Sequence, residues 1–125
     1  MGHSDRLVIA DGNFPVMSMG KNAQIIRMDG HGVPEILDAI LRVFPLDTYI
    51  EKPVNLMEVM PGDDVQTPIW DVYKKTVKKY DERGKNAIGE IERFKFYEET
   101  KTAYAVIATS EKALYANIML QKGVV

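Results

Sequence analysis

Short apolar runs, punctuated by Asp, Gly and Pro, alternate along this chain with stretches whose apolar residues recur at helical spacing. Leu7-Val-Ile-Ala10 is the first run, closed by Asp11-Gly-Asn13 and Pro15. The pattern predicts a strand buried on both faces that leads into a loop. Gln24-Ile-Ile-Arg27 reads as a second strand, ended by Met28-Asp-Gly-His-Gly32. Pro34 then opens a helix at its first turn, and Ile36, Leu37, Ile40, Leu41 and Phe44 give it one apolar face before Pro45 stops it. Residues 54–60 predict a third strand, with Pro61-Gly-Asp-Asp64 as its turn. Thr67-Pro68 has the form of an N-cap with proline at the first helical position. Ile69, Trp70, Tyr73, Val77 and Tyr80 mark the inner stripe of the helix that follows, and Lys74, Lys75, Lys78 and Lys79 its solvated face. Residues 88–92 and 94–102 predict a short strand and a short helix, and 105–108 and 117–120 the last two strands. This alternation predicts the α/β class, a three-layer α/β/α arrangement with a mixed, largely parallel central sheet.

No repeat, low-complexity tract or linker divides the 125 residues, a length that fits one domain with its own core. Apolar residues make up 46% and charged residues 27%, ordinary values for a globular protein. The net charge is −2 and the sixteen Lys and Arg are dispersed, which argues against a nucleic-acid partner. Cysteine is absent, so disulfides, thiolate metal sites and Cys nucleophiles are excluded, and a reducing cytoplasm is the expected compartment. No apolar stretch has the length of a membrane span, and no basic-then-apolar leader opens the chain.

The motifs of several enzyme classes are missing. Gly30-His-Gly32 lacks the glycine spacing of a dinucleotide fingerprint, there is no Walker loop or nucleophile elbow, and two histidines without a carboxylate cluster make a weak case for metal. Any catalysis is therefore expected to rest on proton transfer and hydrogen bonds. His3 has the intrinsic acidity for that work near neutral pH, although a histidine close to a chain end is also often simply solvated. His31, flanked by glycines before a helix, suits capping or solvent. Asp11 ends a buried strand, where open α/β sheets bind ligands, and it equally suits an Asx turn. Tyr115 and Asn117, two apart in a strand, would face the same side and offer donors and acceptors to a polyhydroxylated ligand. Arg93 presents a planar fork for ligand oxygens or for a surface pair.

Taken in order, these stretches resemble the ribose pyranase and fucose mutarotase family. Gly2-His-Ser-Asp5, Leu7 to Asp11 and Asn13-Phe-Pro15 look like its entry motif. Arg27-Met-Asp-Gly30, Leu46-Asp-Thr-Tyr49, Gln66-Thr-Pro-Ile-Trp70, Ile91-Glu-Arg-Phe-Lys-Phe-Tyr-Glu98 and Ala113-Leu-Tyr-Ala-Asn117 continue the match to Lys122-Gly-Val124. An arginine before Phe-x-Phe-Tyr-Glu marks the fucose branch, where the ribose branch typically carries histidine; here it is Arg93. The resemblance implies an isomerase that exchanges the α and β anomers of L-fucose without cofactor or metal. It implies His3 as general acid and sugar contacts at Asp11, Arg93, Tyr115, Ala116 and Asn117. Likeness to animal members adds Asp47, Met57 and Tyr97, with a turn role open for Asp47 and a core role for Met57. Asp11, Tyr97 and bound water are the alternatives for the base, and Met57, Trp70 or a nearby aromatic for contact with the fucose methyl group. The resemblance also implies that a helical segment preceding the Gly-His motif in relatives is absent here.

Distance constrains how His3 and Asp11 could share a sugar. The eight positions separating them reach roughly 26 Å when extended, far beyond a monosaccharide. Either residues 2–6 fold back or His3 serves a sugar held by another subunit. The second option agrees with the closed rings, often decamers, of the family, with sites near subunit boundaries.

Overall fold

A computed structural model describes all 125 residues. Its strands are β1 (Arg6–Ala10), β2 (Gln24–Met28), β3 (Val54–Met57), β4 (Ile88–Ile91), β5 (Ala105–Thr109) and β6 (Ile118–Gln121). Its helices are α1 (Val16–Met19), α2 (Val33–Leu41), α3 (Pro68–Tyr80) and α4 (Arg93–Thr100), with a 3-10 turn at Gly84–Ala87. The strands form one sheet in the order β2-β5-β1-β6-β3-β4. The pairs β2–β5, β1–β5 and β3–β4 are parallel, whereas β6 runs antiparallel to β1 and β3 on either side of it. Five strands therefore point one way and β6 alone runs back between them. The carboxyl ends of those five and the start of β6 meet at one edge of the sheet.

Strand alternation divides the core into two layers. Leu7 and Ile9 of β1, Val54 and Leu56 of β3, and Ile118 and Leu120 of β6 face α2 and α3, where Val33, Leu37, Ile69, Tyr73 and Val77 cover them. Val8 and Ala10, Val106, Met57 and Met119 face the other way, against Phe14, Phe96 and the half-buried Met19 of α1. The expected three layers follow, and β1 is buried on both faces as its unbroken apolar run requires. The lysines of α3 lie on its exposed face.

Several local expectations need correction. Helix α2 stops at Leu41, short of the Phe44 that its apolar spacing included, although Phe44 still reaches the core. Thr67 stands at the N-cap of α3 without a side-chain cap bond. Strand β3 ends at Met57, and residues 58–66 form a loop instead of prolonging it. The four-residue α1 and the 3-10 turn are too short to leave a periodic signal. Tyr115 is not in a strand at all: it is left-handed, with φ +54°.

Glu111 joins the two sides of the carboxyl edge. Its Oε1 accepts the Val33 N–H at the start of α2, and its Oε2 accepts the N–H groups of Lys112 and Ala113 in its own loop. His31 is exposed, with Nδ1 3.0 Å from the Glu35 Oε1 that also accepts the Gly32 N–H, so it belongs to the helix start. Replacing Glu111 with alanine removes the acceptor of three backbone amides. A loss of about 1–2 kcal/mol is expected in urea denaturation, with an unchanged slope.

Candidate functional site

The chain enters the carboxyl edge at Asp11, directly after the buried β1. The Asp11 N–H donates to Asn117 Oδ1 at 2.7 Å, tying the end of β1 to the residue that precedes β6. Asp11 Oδ1 accepts the Asn13 N–H at 3.0 Å, so the Asx turn is real, and it positions a carboxylate that is only 8% exposed. Burial pushes the Asp11 carboxyl above its ordinary range, outweighing the opposing bonds from the backbone N–H groups of Asn13, Ala116 and Phe14.

Helix α3 shapes the second wall. Trp70 Nε1 donates to the Tyr115 carbonyl at 2.8 Å, and the buried Tyr73 hydroxyl donates to the Ala116 carbonyl at 2.6 Å. These two bonds hold Tyr115 in a backbone region that is uncommon for a bulky residue. The Tyr115 ring then reaches loop 58–66, where its Oη accepts the Met60 N–H at 3.2 Å and donates to an Asp63 carboxylate oxygen. Trp70 thus stands behind the site rather than against a ligand.

The third wall comes from α4, started by Glu92, whose carboxylate accepts the N–H groups of Phe94 and Lys95. Arg93 follows at once. Its Nε is buried without a hydrogen-bond partner, a donor in want of an acceptor. Tyr97 lies one turn further on, edge-on to Phe14 at 5.5 Å and to Phe94 at 6.2 Å.

These walls enclose a cavity of about 460 Å³. Asp11, Asn13, Asp63, Arg93, Tyr115 and Asn117 supply its polar lining, and Phe14, Met57, Val65, Tyr97, Ala113 and Leu114 the rest. Its size and mixed lining suit a molecule with hydroxyls on one side and C–H groups on another. Six of the nine residues singled out in the sequence therefore converge: Asp11, Met57, Arg93, Tyr97, Tyr115 and Asn117. Ala116 lies buried behind the wall. Met57 serves core and cavity together, being packed with Val8 and Phe96 and only 3% exposed.

His3 and Asp47 lie at the opposite edge of the sheet, with each other. Residues 2–5 form a turn in which Ser4 has φ 72° and donates its N–H to the Lys122 carbonyl beyond the end of β6. His3 Nε2 is 3.4 Å from Asp47 Oδ1, and the imidazole stands edge-on to Tyr49 at 5.0 Å. Asp47 Oδ1 also accepts the Tyr49 N–H, and its Oδ2 accepts from Gln121 Nε2. The Tyr49 N–H above all, then Gln121 and His3, hold the Asp47 carboxyl below its ordinary range. His3 does not fold back toward Asp11 within one chain. It is 38% exposed, and Nδ1 has no partner in this chain.

The sequence signature of the RbsD / FucU transport protein family matches residues 1–125. The chain belongs to this family. Among its curated members, the human protein named fucose mutarotase is 46% identical over 128 residues, an alignment covering 99% of this chain and 82% of the relative. Among solved structures, FucU from Bifidobacterium longum shares 67% identity at a TM-score of 0.98, covering 100% of this chain and 87% of that one. The fucose mutarotase of Streptococcus pneumoniae in complex with L-fucose shares 43% identity at a TM-score of 0.92, covering 100% and 86%. The RbsD / FucU fold is thus shared along the whole chain.

Sequence reasoning missed Asn13, Phe14, Asp63, Val65, Ala113 and Leu114 as cavity residues. Asn13 and Phe14 stood within the quoted entry motif, and Ala113 and Leu114 within the stretch leading to Tyr115. Asp63 carried only a turn signal.

Asp11 makes stability depend on pH with a definite sign. Its folded pKa lies above the unfolded value of about 3.8, so the folded chain holds this proton longer and stability falls as pH rises from there through the raised value. An Asp11→Asn variant keeps an acceptor for the Asn13 N–H but carries no charge. Its stability relative to the parent chain should rise across that window and level off above it, as measured by urea denaturation at a series of pH values.

Proposed function

We propose that residues 1–125 form one mutarotase domain that interconverts the α and β anomers of L-fucose. The carrying observation is the cavity at the carboxyl edge, where an unpartnered Arg93 Nε, the buried Asp11 and the Tyr115–Asn117 turn converge on a space large enough for a monosaccharide. The L-fucose bound to the Streptococcus pneumoniae relative supports the same choice of sugar. Ring opening needs one proton removed from the anomeric hydroxyl and one delivered to the ring oxygen. Rotation of the aldehyde and closure on its other face complete the exchange.

In this reading Arg93 donates to a sugar oxygen, Asp11 and Asn117 orient hydroxyls, and Tyr115 and Ala116 shape the wall that carries them. Met57, Phe14 and Tyr97 offer the apolar surface for the methyl group, with Tyr97 an alternative proton carrier. His3 delivers the proton to the ring oxygen, and Asp47 holds its imidazole instead of touching the sugar. Because His3 and the cavity occupy opposite edges, the imidazole serves a cavity on a neighbouring copy. Head-to-tail repetition of that contact closes a ring, which we take to be a decamer working in the cytoplasm.

Saturation-transfer NMR on the anomeric protons tests the reaction. The chain should accelerate exchange of L-fucose well above D-ribose, and His3→Ala should lower the acceleration by about 10²–10⁴-fold with the fold intact. Saturable fucose binding with no change in exchange would make the protein a binding module instead.

A mixing experiment tests the composite site. Chains carrying His3→Ala or Arg93→Ala, the first without its imidazole and the second without the cavity's guanidinium, should recover about a quarter of parental exchange when co-expressed in equal amounts, since half the cavities are intact and half of those meet an intact imidazole. A mixture no better than its components would mean that each chain supplies its own imidazole.

A further inference from the structure

The base side of the proton exchange stands open between Asp11, Tyr97 and water, and the cavity contains one further arrangement suited to that task. The Tyr115 hydroxyl has a single proton and two lone pairs. The proton goes to Asp63, and the Met60 N–H takes one lone pair. One lone pair is left, on a tyrosine that lines the cavity together with its partner Asp63. Tyr115 can therefore only accept from a bound sugar. The other polar groups are less suited. Arg93 has no acceptor, Asn117 Oδ1 is engaged by the Asp11 N–H, and Asp11 Oδ1 is engaged by the Asn13 N–H. Asp63 sits on the exposed rim of the cavity in loop 58–66, beside the Tyr115 hydroxyl.

We infer that Tyr115 and Asp63 form a two-step proton relay that takes the proton from the anomeric hydroxyl, with Asp63 a positioning and proton-accepting residue that acts through Tyr115. The inference rests on the anomer-exchange reading of the same cavity. On ring opening the O1–H bond breaks and its proton passes to Tyr115 Oη while the Oη proton passes to the Asp63 carboxylate. The O1–H electron pair becomes the second C1–O1 bond. The C1–O5 bond breaks, and its pair stays on O5, which takes a proton from the acid. Closure on the other face of C1 runs the same transfers backwards, so the protein ends unchanged and no redox partner is required.

The carboxylate also anchors loop 58–66 to Tyr115, so the test must separate proton acceptance from anchoring. Asp63→Asn keeps a carbonyl oxygen for the Tyr115 hydroxyl but cannot take its proton, whereas Asp63→Ala loses both. The reading expects Asp63→Asn to bind L-fucose with KM within about threefold of the parent chain while kcat for exchange falls by about 10²-fold or more. Tyr115→Phe should lose a similar factor, and the double variant little more than either, because the two act as one unit. Exchange by Asp63→Asn within twofold of the parent, with only Asp63→Ala impaired, would reduce Asp63 to a loop anchor and overturn the relay. Absence of exchange by the parent chain itself would instead overturn the broader mutarotase reading.

Discussion

The amide oxygen of Asn117 accepts the backbone N–H of Asp11 across 2.7 Å at the buried carboxyl edge of the two central strands, between residues 106 positions apart. An unpaired amide there would carry a desolvation cost of about 1–3 kcal/mol, so the bond fixes where β1 ends and where β6 begins. It works only because β6 runs back between β1 and β3. Had β6 been parallel, its first residue would lie at the other edge and the Tyr115–Asn117 turn with it. The reversal brings the carboxyl ends of β1, β3 and β4 and the amino end of β6 around one cavity, and α3 then pins the turn through two aromatic donors.

Asp11 shows that closing a turn and lining a cavity need not compete for a residue. One oxygen closes the loop after β1, and the same geometry keeps the carboxyl buried against the cavity, with its affinity for a proton raised. Asp47 is the opposite case: backbone and side-chain donors keep it charged, next to an imidazole that a charged neighbour can orient. The two non-glycine residues with positive φ are Ser4 and Tyr115, one beside His3 and one in the cavity wall. Unfavoured backbone is thus concentrated where side chains must be aimed.

Legibility in the sequence followed the range of the interactions. The apolar run of β1 and the helical stripe of α3 are local patterns, and they appear where periodicity places them. Motif resemblance brought Asp11, Met57, Arg93, Tyr97, Tyr115 and Asn117 onto one page, and the fold brings them to one cavity. Tyr115 reads as a strand residue in the sequence because its left-handed conformation is imposed by Trp70 and Tyr73, more than forty positions away. Asp63 was invisible for the same reason, since its partner is 52 positions distant and its own neighbourhood reads as an ordinary turn. The pairing of His3 with Asp47 likewise depends on the strap that bonds residues 46 and 122 at the far edge, which no local pattern encodes.

The separation of the cavity from the imidazole carries an evolutionary consequence. The cavity is written in one chain's carboxyl edge, and the residue paired with Asp47 is written in the opposite one, so the two can drift independently. On the composite-site reading, a descendant that lost its contacts with neighbouring copies would keep the whole cavity and forfeit only the imidazole. On that reading a sensor lies a few surface substitutions away from a catalyst.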